Sequence, residues 1–328
     1  MKLMYNLLHF YCLSKEKKEI VLKKMERNAK VTMIYVHPLK SCKAVSVPHA
    51  PITPTGLRWD RNWMVVNEKG RALTQRVEPK LALVEVELPD DAFLEDWEPN
   101  QNSYMLIKGP GMHELKISLA KPEVTSDGVK LWEWCGSVLD EGPEAAKWFS
   151  DYVGKPCRLV RFNSGSETRP VVDEYAPGHN VLFNDFGPYL VASQGSLDEL
   201  NKHLKEGVLM NRFRPSIVVD GCEPFAEDLW KGIKINNFSF EGIRLCARCK
   251  IPTINQETAE AEPEPHATLK DIHSDKILRP NMKDKGEVYF GQYLVWKDNC
   301  NGVKGKMIKV GDPVFVLSKL SSADEAAF

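Results

Sequence analysis

Short β-type segments, each closed by proline or glycine, follow one another along this chain with few helix-length stretches between them. Residues 31–36 (VTMIYV) are rich in β-branched side chains, and Pro38 stops the run. The stretch NWMVVNEKGRALTQ predicts a hairpin that turns at Gly70, a residue suited to φ > 0. Residues 81–88 (LALVEVEL) alternate in part, as a half-buried strand does, and PCRLVRF around Val160 predicts another strand. Further on, SIVVDG, FSFEGIRLC, VYFGQYLVWK and MIKVGDPVFVL read as strands, with Gly311-Asp312 as turn chemistry inside the last. A doubly wound parallel sheet needs a helix between successive strands, so that architecture is excluded. Two helices are predicted. One spans 142–154, bounded by glycine at each end; the other is SLDELNKHLKEG, with Ser196 at the N-cap, Glu199 in capping-box position and Gly207 closing it. The fold class is therefore α+β, β-dominated, in two parts.

A length of 328 residues suits two domains. The polar stretch NSGSETRPVVDEYAPG predicts the junction, giving an extension over 1–30, a first region over 31–165, a second over 166–320 and a tail over 321–328. ETAEAEPEPHATL reads as a surface loop. The opening MKLMYNLLHFYCL is apolar but far shorter than the ~20 residues a membrane span requires, so no integral span is expected. The basic stretch behind it, SKEKKEIVLKKMERNAK, reads as exposed charge, with a targeting or membrane-surface segment as the alternative. Lys and Arg number 44 against 45 Asp and Glu, for a net charge of −1. No global field favours nucleic acid, which is excluded as a partner; an anion would have to be met by a local cluster. Eight irregularly spaced cysteines point to a reducing compartment rather than a disulfide scaffold.

Two of those cysteines stand three positions apart in IRLCARCKIP. Structural zinc needs four ligands, and no second C-x-x-C is present. A dithiol redox pair wants a helix N-terminus, but Pro252 and β-branched residues follow the pair. A single thiolate held for a soft metal, with Arg248 beside it, remains open, as does a pair of buried small hydrophobes. Elsewhere, HPLKSCKA supplies Lys40 and Ser41, LRWDRNW supplies Arg58 and Arg61, LTQRVEPK supplies Thr74 and Arg76, and NRFRPS supplies Arg212 and Arg214. These cations sit at element edges, mostly beside hydroxyls, and together suit a dianionic ligand such as a phosphorylated heterocycle. Taken singly, each arginine is equally well explained by a surface ion pair.

In order along the chain, YVHPLKSCK, GLRWDRNW, TQRVEPKL, NRFRPSIVVDGC, AED-x-W, CARCKIPT, FGQ and VGDPV resemble the MOSC-domain proteins. More narrowly, they resemble the mitochondrial amidoxime reducing component in its plant form. The likeness runs from about residue 31 to 317. It implies a β-barrel-like MOSC N-terminal region followed by a MOSC β-barrel. It also implies a molybdenum–pyranopterin cofactor, with Cys249 as the metal ligand and Lys40, Ser41, Arg61, Arg214, Ala247 and Arg248 around pterin and phosphate. Arg76 and Ser216 fall on neighbouring family positions, Ser216 where animal members carry asparagine. Glu223 stands where animal members carry an aspartate near the metal and is expected to assist proton transfer. Cys246 is expected to be structural. The implied activity is two-electron reduction of small N-oxygenated substrates, amidoximes and hydroxylamines, to amidines or amines and water. Cytochrome b5 and NADH-cytochrome b5 reductase are the implied electron donors, because the chain shows no dinucleotide fingerprint of its own. The implied location is the cytosol-facing mitochondrial outer membrane, with the cytoplasm as the alternative. A second reading makes the chain a carrier or sulfuration module for the molybdenum cofactor, without the pyridoxal-phosphate-dependent half of a sulfurase.

Overall fold

The computed structural model describes residues 29–298 and 306–326. The readings placed on residues 1–28 lie outside that range.

Seven strands close a barrel: β1 (Ala29–Val36), β2 (Tyr189–Ser193), β3 (Ile217–Asp220), β4 (Trp230–Ile235), β5 (Phe238–Ala247), β6 (Tyr289–Trp296) and β7 (Pro313–Lys319). Their order is β3-β2-β6-β5-β4-β7-β1, and antiparallel pairing of β1 with β3 shuts the ring. All pairings are antiparallel except β2 with β3. The reason for that exception is the helix α2 (Gln194–Lys202), which carries the chain from β2 towards β3. Alternation sorts the side chains: Ile217 and Val219 join the main core, while Val218 faces Leu197, Leu200 and Phe290 in a second cluster beneath α2. Because β1 comes from the first region of the sequence, the barrel is built by both regions.

The first region adds a four-stranded sheet, in the order Trp63–Asn67, Cys157–Phe162, Trp134–Asp140, Thr125–Leu131. Helix α1 (Pro143–Val153) seals it with Trp148 and Phe149, both buried. Pro143 opens α1 and Gly154, at φ 81, ends it in the left-handed conformation.

Three local expectations change. Residues 79–83 form a 3₁₀ turn begun by Pro79, so the strand expected across 81–88 shrinks to Glu85–Glu87. In α2 the N-cap is Ser193, whose hydroxyl accepts the Ser196 amide at 3.0 Å, and the helix stops at Lys202, well before Gly207. Glu199 pairs with Lys202 at 2.7 Å instead of completing a capping box. The Pro- and Glu-bearing loop also runs straight into two short helices, His266–Ile272 and Asp275–Leu278.

Candidate active site

The ladder between β5 and β6 slips twice, at Gly242/Arg244 and at Leu245/Ala247. Bulges of this kind bend a strand and re-aim its side chains. A Cβ on Gly242 would meet the Trp230 carbonyl oxygen at 2.0 Å, so only glycine lets the strands approach there. Beyond β5 the Arg248 amide donates to the Val288 carbonyl at 2.7 Å, and the chain then turns into a 3₁₀ segment, Ile251–Thr253. Cys249 sits in that turn, half-buried, with its sulfur facing the Ile251 amide at 3.5 Å.

The pocket that Cys249 lines is also lined by Lys40, Ser41, Arg61, Arg76, Arg214, Ser216, Ala247 and Arg248, residues that the sequence scatters over more than two hundred positions. Arg212, Phe213, Asp185 and Tyr293 complete much of the wall. Three lining residues, Ser41 (φ 70), Arg61 (φ 52) and Arg214 (φ 54), hold left-handed backbone without being glycine. Each such residue costs on the order of 1–3 kcal/mol, and strain of this kind gathers at functional sites.

Six cations face a single carboxylate, Asp185, among the lining residues. Three are already paired: Lys40 with Asp185 at 2.7 Å, Arg61 with the buried Asp60, and Arg212 with Glu262 at 2.8 Å. The other three each keep a buried nitrogen without a partner among the described residues: Arg76 Nε, Arg214 Nη2 and Arg248 Nε. Buried donors left unpaired are costly, and all three arginines line this one pocket, which fits a ligand rich in acceptors and negative charge.

Burial lowers Lys40 to about 8 despite the adjacent Asp185. Asp185, whose side chain is 41% exposed, loses some hydration among the pocket groups, but Lys40, Arg76 and Arg61 outweigh that and hold it below the usual carboxylate range. Burial, then crowding by Arg61, lowers Arg214 to about 10. His37 is held well below its ordinary value by burial and by Arg61 and Arg214, against the opposing pull of Asp60, whose Oδ1 lies 3.6 Å from its Nδ1. A pH dependence follows. Lys40 is charged below about 8 and neutral above, so affinity for an anion of fixed charge falls as pH rises through that value. Calorimetric titration of the metal-free protein with sulfate should show affinity dropping roughly three- to tenfold from pH 7 to pH 9.

Glu223 does not line this pocket; it is exposed, on the connection after β3. The carboxylate that reaches the pocket is Asp185, hydrogen-bonded to a lysine 145 positions away in sequence. No periodicity or motif in LFNDFGPY marks that aspartate, so only the three-dimensional arrangement reveals it. Glu223→Gln should leave turnover within about twofold, as surface substitutions usually do, and steady-state kinetics would check it. Thr74 is buried but outside the pocket lining. Cys246 is buried; its thiol donates to Tyr293 Oη at 3.1 Å, and its sulfur accepts from Arg248 Nη1 at 3.2 Å. Among the described residues, no group of three or more His, Cys, Asp or Glu side chains is placed to hold a metal ion.

Fold and pocket define a class: β-barrel proteins with a cationic pocket whose wall includes two cysteines, Cys246 and Cys249. Residues 28–156 match the MOSC N-terminal beta barrel domain family and residues 178–315 the MOSC domain family. The chain is 32% identical over 307 residues to "Mitochondrial amidoxime reducing component 2" of Rattus norvegicus, covering 89% of this chain and 85% of that protein. It is 32% identical over 312 residues to the Bos taurus protein of that name (89% and 84% covered). To "Mitochondrial amidoxime-reducing component 1" of Homo sapiens it is 30% identical over 301 residues (88% and 83%). The chain belongs to the MOSC family and, within it, to the amidoxime reducing component proteins.

Proposed function

We propose that this protein is a molybdenum-cofactor-dependent reductase that converts amidoximes and hydroxylamines to amidines or amines. The observation that carries the reading is the set of three unpartnered guanidinium nitrogens sharing a pocket with the Cys249 sulfur. A phosphate-bearing pterin would be held by Arg76, Arg214 and Arg248, with Ser41 and Ser216 adding hydroxyl contacts. Cys249 would ligate molybdenum through its sulfur, which faces the Ile251 amide and shares the pocket wall with Arg248. When bound, that group supplies the two-electron redox chemistry.

The reaction consumes two electrons and two protons, breaks the N–O bond and releases water. Proton delivery falls to the Lys40–Asp185 pair: Lys40, lowered to about 8, lies near working pH, where a general acid is most effective. Asp185 and the Phe183 carbonyl, both 2.7 Å from the ammonium, fix its position. Tyr293, partly buried and linked to Cys246, forms part of the wall.

Electrons are proposed to come from cytochrome b5 and its NADH-dependent reductase, and a mitochondrial location is proposed from the names of the relatives. No helix among the described residues is long and apolar enough to cross a membrane. The test has two steps. Purified protein should contain molybdenum and pterin in roughly equal amounts, then reduce benzamidoxime when cytochrome b5, its reductase and NADH are added. Cofactor without turnover would favour the carrier or sulfuration reading; neither would refute both.

A further inference from the structure

The hairpin beside the pocket ends in an aromatic ring that the fold leaves nearly half uncovered. Leu131 pairs with Trp134, so Trp132 and Glu133 form the turn between Thr125–Leu131 and Trp134–Asp140. Trp134 anchors the hairpin, its ring 5.6 Å from Phe162 and 6.2 Å from Phe183. The Phe183 carbonyl in turn accepts the Lys40 ammonium at 2.7 Å, which ties the tip to the pocket wall. Trp132, by contrast, is 45% exposed and sits at φ 54. A left-handed turn position is met more cheaply by glycine or asparagine, and strain at a bulky residue points towards function. Burial does not account for the ring either. What it does contact is the cationic pocket: the Arg76 guanidinium lies 4.3 Å from its centre and the Lys40 ammonium 5.9 Å, and both residues line the pocket. Val77, beside Arg76, is 62% exposed and adds apolar surface next to that contact.

We propose that Trp132 is an aromatic platform at the edge of the pocket that selects flat, π-faced N-hydroxylated substrates over small aliphatic ones. The proposal rests on the N-reductive reading of the same pocket. Arg76 covers only part of the indole, and the exposed remainder offers a stacking surface beside the Lys40–Asp185 pair. Benzamidoxime and acetamidoxime carry the same N-hydroxyamidine head and differ in a phenyl against a methyl group, so they isolate the stacking contribution. Such a contact is worth a factor of about two to ten in affinity.

The experiment compares cofactor-loaded wild type, Trp132→Ala and Trp132→Phe with both compounds. In Trp132→Ala, kcat/KM for benzamidoxime should fall about five- to tenfold, mainly through KM, while acetamidoxime stays within about twofold. Trp132→Phe should recover most of the loss. An equal fall for both compounds would mean the ring merely holds Arg76, and no fall would mean it is idle; either overturns the proposal. Saturation-transfer NMR of benzamidoxime with the same three proteins supplies a readout independent of turnover. If wild type reduces neither compound, the N-reductive reading fails on its own. Phenyl-proton saturation that wild type shows and Trp132→Ala loses would still support the platform. Saturation unchanged in the variant, or absent from wild type, would overturn it.

Discussion

Cys249→Ala should abolish benzamidoxime reduction while leaving the fold unchanged. Groups that only orient a metal ligand are worth about 10–100-fold, so loss of the ligand itself should cost roughly 10³-fold or more. The native fold asks little of this side chain. It is half-buried, in a turn rather than a strand, and its sulfur meets one backbone amide at the long distance of 3.5 Å. The melting temperature should therefore stay within about 2 °C of wild type. Turnover and thermal denaturation measured on one preparation would check both halves. A variant inactive because it is unfolded would not support the assignment.

Asp185→Asn is the second large effect expected. The substitution is nearly isosteric but removes the charge that opposes the burial-driven lowering of Lys40. Lys40 should then drop further below about 8, and kcat should fall roughly 10²-fold, the scale of a mispositioned general acid. The sign of the pH effect is fixed by the same pair. The basic limb of the rate profile, where Lys40 loses its proton, should move to lower pH in the variant. Molybdenum content should hold, because Arg76, Arg214 and Arg248 are untouched. A kcat–pH series with metal analysis at each point would separate a proton-delivery defect from cofactor loss.

Much of the barrel was legible because its signals are local. The β-branched run that opens at Ile217, the long β-run ending in Cys246-Ala247 and the Gly311-Asp312 turn each point the same way as the final structure. The excluded parallel sheet follows the same logic, since α2 is the helix joining the parallel pair β2 and β3. What local pattern did not show was closure. β1 joins β3 and β7, strands that follow it by roughly 180 to 290 residues, and that pairing depends on contacts no short window contains.

The pocket divides similarly. Arginines beside turn residues, Arg61 and Arg214 among them, stood out as local cations, and the structure places both in left-handed backbone on the pocket wall. Asp185 went unmarked because a carboxylate in an irregular loop looks like any solvated aspartate until Lys40 is seen beside it. Glu223 drew notice by position in a familiar order of motifs, yet the chain after β3 leaves it exposed. Trp132 showed the opposite pattern: in sequence it is one aromatic among many, and only its exposure, backbone angle and contact with Arg76 set it apart.

X-ray absorption at the molybdenum edge of wild type and Cys249→Ala, each loaded with cofactor under the same conditions, reads out whether the Cys249 sulfur binds the metal. The wild-type metal should have one more sulfur neighbour than the variant, the additional one being the Cys249 thiolate. Identical sulfur counts in the two proteins, with molybdenum present in both, would contradict it.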